Sequence, residues 1–562
     1  MANDVVPKHE FKRDGEVWQF YSKEVTGLDI IKLTDTLTGI SLSAPLVNSK
    51  LRGASHLAWA GARHSRSAGG TENILAEMME KNVNPDSKLE ETFRGYGHAS
   101  VADMARISLH FNDVPMHVPL WIFNYGDINS GQEKSTRFQK QFKGAALHPL
   151  SNYLPLNANE PGANDGYHAL AELARSAFSD FQPKVTEAFK KYYQPESQSD
   201  TRALEARVLD TIRYFLLLGQ ATGFAFETSA RDWSRLISRL KAAPVPVYKG
   251  LGLMLERFLA PDAEIEKEMS FLAEAPSLIR HTSEDSQLID NLRHLEAYLI
   301  NASDMHEKIK EAKYRDECVE VLPANISIGS RAIMQYILCI WPELDDKGLL
   351  DWIDGLPNEK RSEIGRIIFR GHDHHHEMPS CLTRVTGLTA VVRGTLGELR
   401  DFNRHRGFGR FVQAPNPLMR RINKNSALSL IGAGYGVPLY LSKISEFKEL
   451  LSVYKERMDF YYMELGGFVE IISQKCDPET DYSFILNLLP LAHRVNLWMH
   501  GDPKQFQYCS ALRTRPGGHI NYRVLAHDLN TEISKHDPFL SGGKLQETRP
   551  DPSDRKQFFS RA

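Results

Sequence analysis

The densest chemistry in this chain lies in Arg400-Asp401-Phe402-Asn403-Arg404-His405-Arg406-Gly407-Phe408-Gly409-Arg410-Phe411. Four arginines and a histidine fall within eleven positions there. A guanidinium offers a planar fork of donors that matches phosphate and carboxylate geometry, and it stacks on flat rings. Gly407 and Gly409 let the backbone approach a ligand closely, and two aromatic side chains follow the charges. A flavin or pyrimidine nucleotide presents both an anionic group and a flat ring. The plain alternative is a solvated basic turn, so the rest of the chain has to decide.

Composition narrows the field. The 562 residues allow two to four domains. They are 42% hydrophobic and 25% charged, with a net charge of −3, the balance of an ordinary globular chain. That charge argues against a polyanion binder, so basic clusters are read as local sites and nucleic acid is not an expected partner. The five cysteines are odd in number and form no C-x-x-C pair, which fits a reducing cytoplasm. Residues 1–14 are polar and do not read as a signal peptide, and no apolar run is long enough for a membrane span. The expected location is therefore cytoplasmic.

Next come the elements that must position such a site. Gly97-His98-Ala99-Ser100-Val101-Ala102-Asp103-Met104 and Gly371-His372-Asp373-His374-His375-His376-Glu377-Met378 share one pattern, 274 positions apart. Arg137-Phe138 lands on Arg410-Phe411 at an offset of 273. The same offset carries Leu216-Leu217-Leu218 to Leu489-Pro490-Leu491, Leu236 to Cys509, and Leu240 to Arg513. Common register over several landmarks implies an internal duplication. Helical spacing runs through 167–193 and 444–472, each followed by a further apolar helix at 204–218 and 484–497. Residues 107–111 and 389–393 read as strands. A boundary is expected in 260–284, a helix over 286–300, and a disordered tail from 541.

Residue by residue, the chain resembles the flavin-dependent thymidylate synthases (ThyX). That family carries G-H-x-x-x-x-E-H, R-H-R, a loop ending S-x-R-Y, an arginine four residues before Pro-Leu, N-A-R, and an arginine nine residues further on. The first half supplies Gly97-His98 with Asp103, Ser135-Thr136-Arg137-Phe138, Arg213 before Leu217-Leu218, and Ser229-Ala230-Arg231. It has Asn124-Tyr125-Gly126 in place of R-H-R and Leu240 for the last arginine. The second half supplies Gly371-His372 with Glu377, Arg404-His405-Arg406 and Leu512-Arg513. It has Leu486 for the early arginine and Asp502-Pro503-Lys504 for N-A-R. Ungapped, Arg404 falls opposite Gly131. A gapped match, opposite Asn124-Tyr125-Gly126, is preferred.

The resemblance implies an α+β fold in which two tandem copies, 1–275 and 276–540, form a pseudo-dimer, with 541–562 as a tail. Each copy would be a mixed sheet with long flanking helices. It implies C5 methylation of a pyrimidine nucleotide, of the dUMP-to-dTMP type. FAD would be the cofactor, and methylenetetrahydrofolate and NADPH the co-substrates. It also implies one composite site. There Ser135, Arg137 and Arg213 would hold phosphate, while Arg404 and Arg513 also contact substrate. His98, Arg231, His372, Glu377, Arg404, His405 and Arg406 would hold flavin, and Arg513 would be the catalytic cation. Arg213 and Arg513 should then lie within roughly 15–18 Å of each other, facing one cavity. A homodimer is expected, since the family shares its sites between subunits. The alternative is a degenerate, non-catalytic binder of flavin or nucleotide, or C5 chemistry on another pyrimidine nucleotide.

Two further features were weighed. His372, His374, His375 and His376 with Glu377 suggest a metal. However, consecutive histidines cannot all face one ion on a regular element, and the first copy has none there, so no metal is expected. Pro516-Gly517-Gly518-His519 reads as a helix-linking turn.

Overall fold

The computed structural model describes residues 9–23, 28–47, 54–55, 58–59, 81, 84–89, 99–124, 130–134, 147–150, 153, 162–268, 275–301, 318–322, 326–368, 370, 387–405, 407–475, 480–501, 503–536, 545 and 548–560. The fold is mixed α and β, with antiparallel sheets. It separates into two compact units. One comprises Met1–Pro119, Tyr125–Lys134 and Ala221–Ser286. The other comprises Leu120–Asn124, Ser135–Gln220 and Gln287–Ala562. The chain passes to the second unit for good after Ser286. Residues 135–220, however, already belong to that second unit.

The first unit is built on a seven-stranded sheet. Its strands are β1 (His9–Arg13), β2 (Glu16–Lys23), β3 (Leu28–Asp35), β4 (Ser41–Val47), β5 (Arg106–Pro115), β6 (Ser130–Glu133) and β7 (Ala221–Ser229). The spatial order is β1-β2-β3-β4-β5-β7-β6, antiparallel throughout. β5 alternates in burial, and Phe111 stacks on Phe224 of β7 at 4.2 Å. That cross-strand aromatic pair is the kind of contact that holds a sheet face together. Ser229 ends β7 and caps the Ala230–Ala242 helix by accepting from the Asp232 amide.

The second unit holds β8 (Val319–Leu322), β9 (Leu388–Thr395), β10 (Gly409–Gln413) and β11 (Arg494–Gly501), in the order β10-β11-β9-β8. Two long helices, Ala163–Tyr193 and Lys448–Lys475, run through it where helical spacing placed them. They bury Phe181 and Tyr454 against each other, ring centroids 6.2 Å apart. After each helix the chain crosses the other in a short antiparallel ladder. The Leu218 amide donates to Leu489 O at 2.9 Å, and the Leu491 amide to Leu216 O at 2.8 Å, with Leu217 bridged to Pro490. Outside that pair, the Gly219 amide donates to Asn487 O and the Ala492 amide to Tyr214 O. A Cβ at Gly219 would stand 2.5 Å from Asn487 Cβ, so this approach requires glycine.

Three expectations need correction. Residues 484–497 are not a helix: only Ile485–Leu488 is helical, and β11 begins at Arg494. Pro490 cannot continue a helix. Leu497-Trp498-Met499 is an apolar run in a strand buried there on both faces, whose periodicity cannot be told from a buried helix. Likewise the helix expected over 204–218 stops at Ile212, and Leu216 turns extended into the ladder.

The tail expected to be disordered carries the Arg555–Phe559 helix, capped by Asp554. Phe558 is buried and stacks on Tyr193 at 3.5 Å. Buried Arg207 donates to Phe558 O and Ser560 O, and also to Pro516 O and Gly518 O. One aromatic anchor and one buried guanidinium thus order a segment whose composition reads as coil. Phe558→Ala should cost roughly 3 kcal/mol of stability. Urea unfolding measures it, and an unchanged midpoint would mean the anchor carries no weight.

Candidate functional site

The second unit gathers several of the candidate residues around the Leu396–Phe402 helix. That helix starts straight off β9, and Glu398 reaches back to accept from the Thr395 amide at 2.7 Å, a capping box. Glu398 is fully buried. Its carboxyl also accepts from the Thr395 and Tyr214 hydroxyls. Burial pushes its pKa up, while those donors and nearby Arg213 hold it down. Arg213 Nη2 donates to Gly397 O at 3.2 Å. Arg213 and Tyr214 therefore grip the first turn of this helix from the segment that also enters the ladder.

The other end of the helix carries the site. The loop after it is fixed by Arg410, which donates to Asn403 O and, at 2.7 Å, to Phe123 O. Asn403 donates to Leu120 O at 3.2 Å. Arg513, at the end of the Pro503–Arg513 helix, donates Nε to His405 Nε2 at 2.8 Å. Its Nη1 lies 3.6 Å from Asp401 Oδ1, and its guanidinium sits over the Tyr522 ring at 5.8 Å. Since a guanidinium only donates, His405 Nε2 is the acceptor and the ring proton rests on Nδ1. Burial, reinforced by Arg513 and Arg410 against the pull of Asp401, lowers the His405 pKa to about 3. His405 is thus a neutral acceptor that orients Arg513. Cys509, one turn earlier, is buried and pushed up to about 12, so no thiolate stands beside Arg513.

Arg213 and Arg513 are held to the same helix one turn apart, through Gly397 O and Asp401. Gly397 O accepts from the Asp401 amide within the helix, so the two bonded nitrogens lie within roughly 14 Å. Arg213 is, however, 2% exposed and bonded to backbone, so it faces the helix and not an open cleft. A groove lined by Leu173, Ala177, Phe215, Met458 and Tyr461 among others is touched by neither arginine. Arg213→Ala should act mainly on stability, by roughly 1–3 kcal/mol, because it strips a donor from a buried network.

Arg231 lies in the first unit and pairs with Asp103 at 3.0 Å. The acid of the first G-H motif and the arginine of S-A-R therefore meet each other. Asp232, beside Arg231 in sequence, instead gives its amide to the Ser229 cap and accepts from the Ser229 hydroxyl. His98, Ser135, Arg137, His372, Glu377 and Arg406 lie outside the described residues. Among the described residues no His, Cys, Asp and Glu group could hold a metal, and no helix is long and apolar enough to cross a membrane. The turn around Gly518 does link two helices, Pro503–Arg513 and Ile520–His536. The sequence reading missed Asp401, Glu398, Tyr214 and Tyr522 as members of this cluster. Asp401 lay within the organising stretch and was the one with a visible signal.

The neutral histidines make a pH prediction. His405, His493 and His500 all sit near 3 when folded, against 6.5 in the free side chain. Between those values the unfolded chain binds protons that the folded chain does not. Stability therefore falls as pH drops from 6.5 toward 3, by up to about 1.4 kcal/mol per pH unit for each histidine. Urea unfolding across that range should show His405→Gln losing part of the slope. An unaltered slope would mean that His405 titrates normally.

No protein-family model matches the chain. A UPF0159 protein of Chlamydia pneumoniae is 22% identical over 457 residues, covering 79% of this chain and 77% of that protein. A UPF0159 protein of Chlamydia muridarum (strain MoPn / Nigg) is 22% identical over 462 residues, with the same two coverages. Among solved structures, thymidylate synthase X of Helicobacter pylori with FAD and dUMP is similar at a TM-score of 0.24 and 12% identity, over 42% of this chain and 96% of that one.

Proposed function

We propose that this chain methylates C5 of a pyrimidine nucleotide, of the dUMP-to-dTMP type. FAD would be bound, methylenetetrahydrofolate would give the carbon and NADPH the reducing equivalents. The observation that carries this reading is the meeting of His405 with Arg513, two motif residues 108 positions apart. The charges around the neutral imidazole fit an anionic, flat ligand: Arg410 and Arg513 outnumber Asp401 there. Arg404, His405 and Arg406 would hold the flavin, which supplies the redox chemistry when bound. Arg513 would face the N3–O4 edge of the pyrimidine, where charge develops as C5 becomes nucleophilic. A fixed guanidinium needs no reorganisation to stabilise that charge and is typically worth about 3 kcal/mol. His405 keeps it aimed. Ser135 and Arg137 remain the proposed phosphate contacts, and Arg213 supports the site from behind.

The same reading includes a tandem duplication. β5-β7-β6 and β9-β11-β10 share order and direction. Shifting β7 by 273 gives β11, and their partners then correspond: Ser130, opposite Glu227, matches Gly409, opposite His500. In the ladder, Leu217 bridges Pro490, its own counterpart at that shift, and the flanking bonds are reciprocal. Such reciprocity is what a local twofold axis gives. On this reading the strand register matches Arg410 to Gly131 and not to Arg137. It favours the gapped placement of Arg404-His405-Arg406.

A second reading, a non-catalytic flavin or nucleotide binder, is favoured by the burial of Arg213 and by the Asp401 partner of Arg513. The purified protein should carry the visible band of oxidised flavin at no more than one flavin per chain. Arg513→Ala should retain that flavin and lose at least about a hundredfold in dUMP-dependent turnover. Bound flavin without turnover in the unaltered protein would establish the second reading. No flavin after reconstitution would remove the flavoenzyme altogether.

A further inference from the structure

The helix that presents Arg513 also presents Tyr508, which is 60% exposed. No other tyrosine with a described side chain is exposed. Its ring stands edge-on to His405, centroids 6.0 Å apart at 68°. Behind them Phe408 packs on Phe506 at 4.7 Å, and Gly407 lies against Gln505, so the helix and the loop after Asn403 form one wall. Three properties coincide here. A ring face is open to solvent. The neighbouring imidazole is neutral and already committed to Arg513, so it does not cover that face. A guanidinium is fixed on the same imidazole, through its Nε2. An open aromatic face beside fixed cationic donors matches a ligand that is flat and carries an anionic group.

We propose that Tyr508 is a stacking platform for a flat heteroaromatic ring whose anionic edge or phosphate is held by the Arg513 side of the same wall. This rests on the reading of the site given above and adds a ligand contact that no motif in the chain marks. A pyrimidine and an isoalloxazine share the required chemistry. Stacking needs a π-face and not the phenol hydroxyl, so phenylalanine should serve while leucine should not. Base–aromatic stacking is usually strong enough that its removal weakens binding roughly tenfold or more.

The test uses the full chain with Tyr508→Ala, Tyr508→Leu and Tyr508→Phe. Each is titrated by calorimetry with FAD, with dUMP, and with the ring-free control 2-deoxyribose 5-phosphate. Tyr508 is exposed, so the variants should fold, and circular dichroism checks that. The expected result is at least a tenfold loss for one ring-bearing probe in the alanine and leucine variants, near-unaltered binding in the phenylalanine variant, and no change for the control. The probe that responds identifies the ring. Equal affinities in Tyr508→Ala and the unaltered protein would overturn the platform while leaving the proposed function standing. A phenylalanine variant as weak as alanine would overturn stacking in favour of a hydroxyl contact. An unaltered protein that binds neither FAD nor dUMP would overturn the proposed function, and the platform with it.

Discussion

Buried backbone must find hydrogen-bond partners, and the segments around Leu217 and Pro490 have none within a helix or a sheet. They satisfy each other instead. Tyr214 to Gly219 and Asn487 to Ala492 exchange amide and carbonyl bonds in a short antiparallel crossing. One side of the crossing enters from the Gln198–Ile212 helix and the other from the short Ile485–Leu488 helix. The crossing fixes Arg213 and Tyr214, which reach from its edge to the Leu396–Phe402 helix. Asp401, on that helix, and His405, just after it, orient Arg513. A small backbone ladder therefore sets the position of a side chain cluster that no local sequence feature could place.

The cluster is an exercise in charge compensation. A buried carboxylate is costly unless it is hydrogen-bonded, and Glu398 meets the cost with Thr395, Tyr214 and the proximity of Arg213. At the other end of the helix the problem is reversed, since Arg410 and Arg513 approach one imidazole. Burial disfavours a cationic His405 and both guanidiniums repel it, so it stays neutral and accepts. Asp401 offsets part of the guanidinium charge at 3.6 Å without forming a tight pair. Arg513 is thus oriented but incompletely neutralised, the state in which a cation can still act on a ligand.

Much of the scaffold was legible in the sequence. The two long helices show clean helical spacing over many turns, and the β5 and β9 strands follow the G-H motifs where expected. What failed did so for physical reasons. β11 is buried on both faces over Leu497-Trp498-Met499, so that apolar run hides the two-residue period. The Arg555–Phe559 helix is too short for periodicity and exists because Phe558 fills an aromatic cluster supplied by residues hundreds of positions away. Of the site, His405 and Arg513 were legible through motif order. The burial of Arg213 was not, because burial depends on the Gly397 carbonyl and Glu398, which come from the other half of the chain.

On the proposed duplication, the two copies agree in backbone and disagree in charge. The counterpart of Arg213 at the common shift is Leu486, and that of Arg513 is Leu240; both leucines are buried. Backbone hydrogen bonds are indifferent to side chain identity, so the ladder and the strand registers can survive wide sequence divergence. A buried arginine, by contrast, persists only where specific acceptors stand within reach. Arg213 has Gly397 O and the Glu398 carboxyl nearby. Arg513 has His405 and Asp401, a pair provided by the one stretch in which R-H-R is kept. The first copy has Asn124-Tyr125-Gly126 where the second keeps R-H-R, and Leu240 where the second keeps Arg513; a buried leucine needs no acceptor. On the proposed duplication, absence of one motif residue makes absence of its partner favourable, and a divided set of arginines is what pairwise electrostatics would leave on a common backbone.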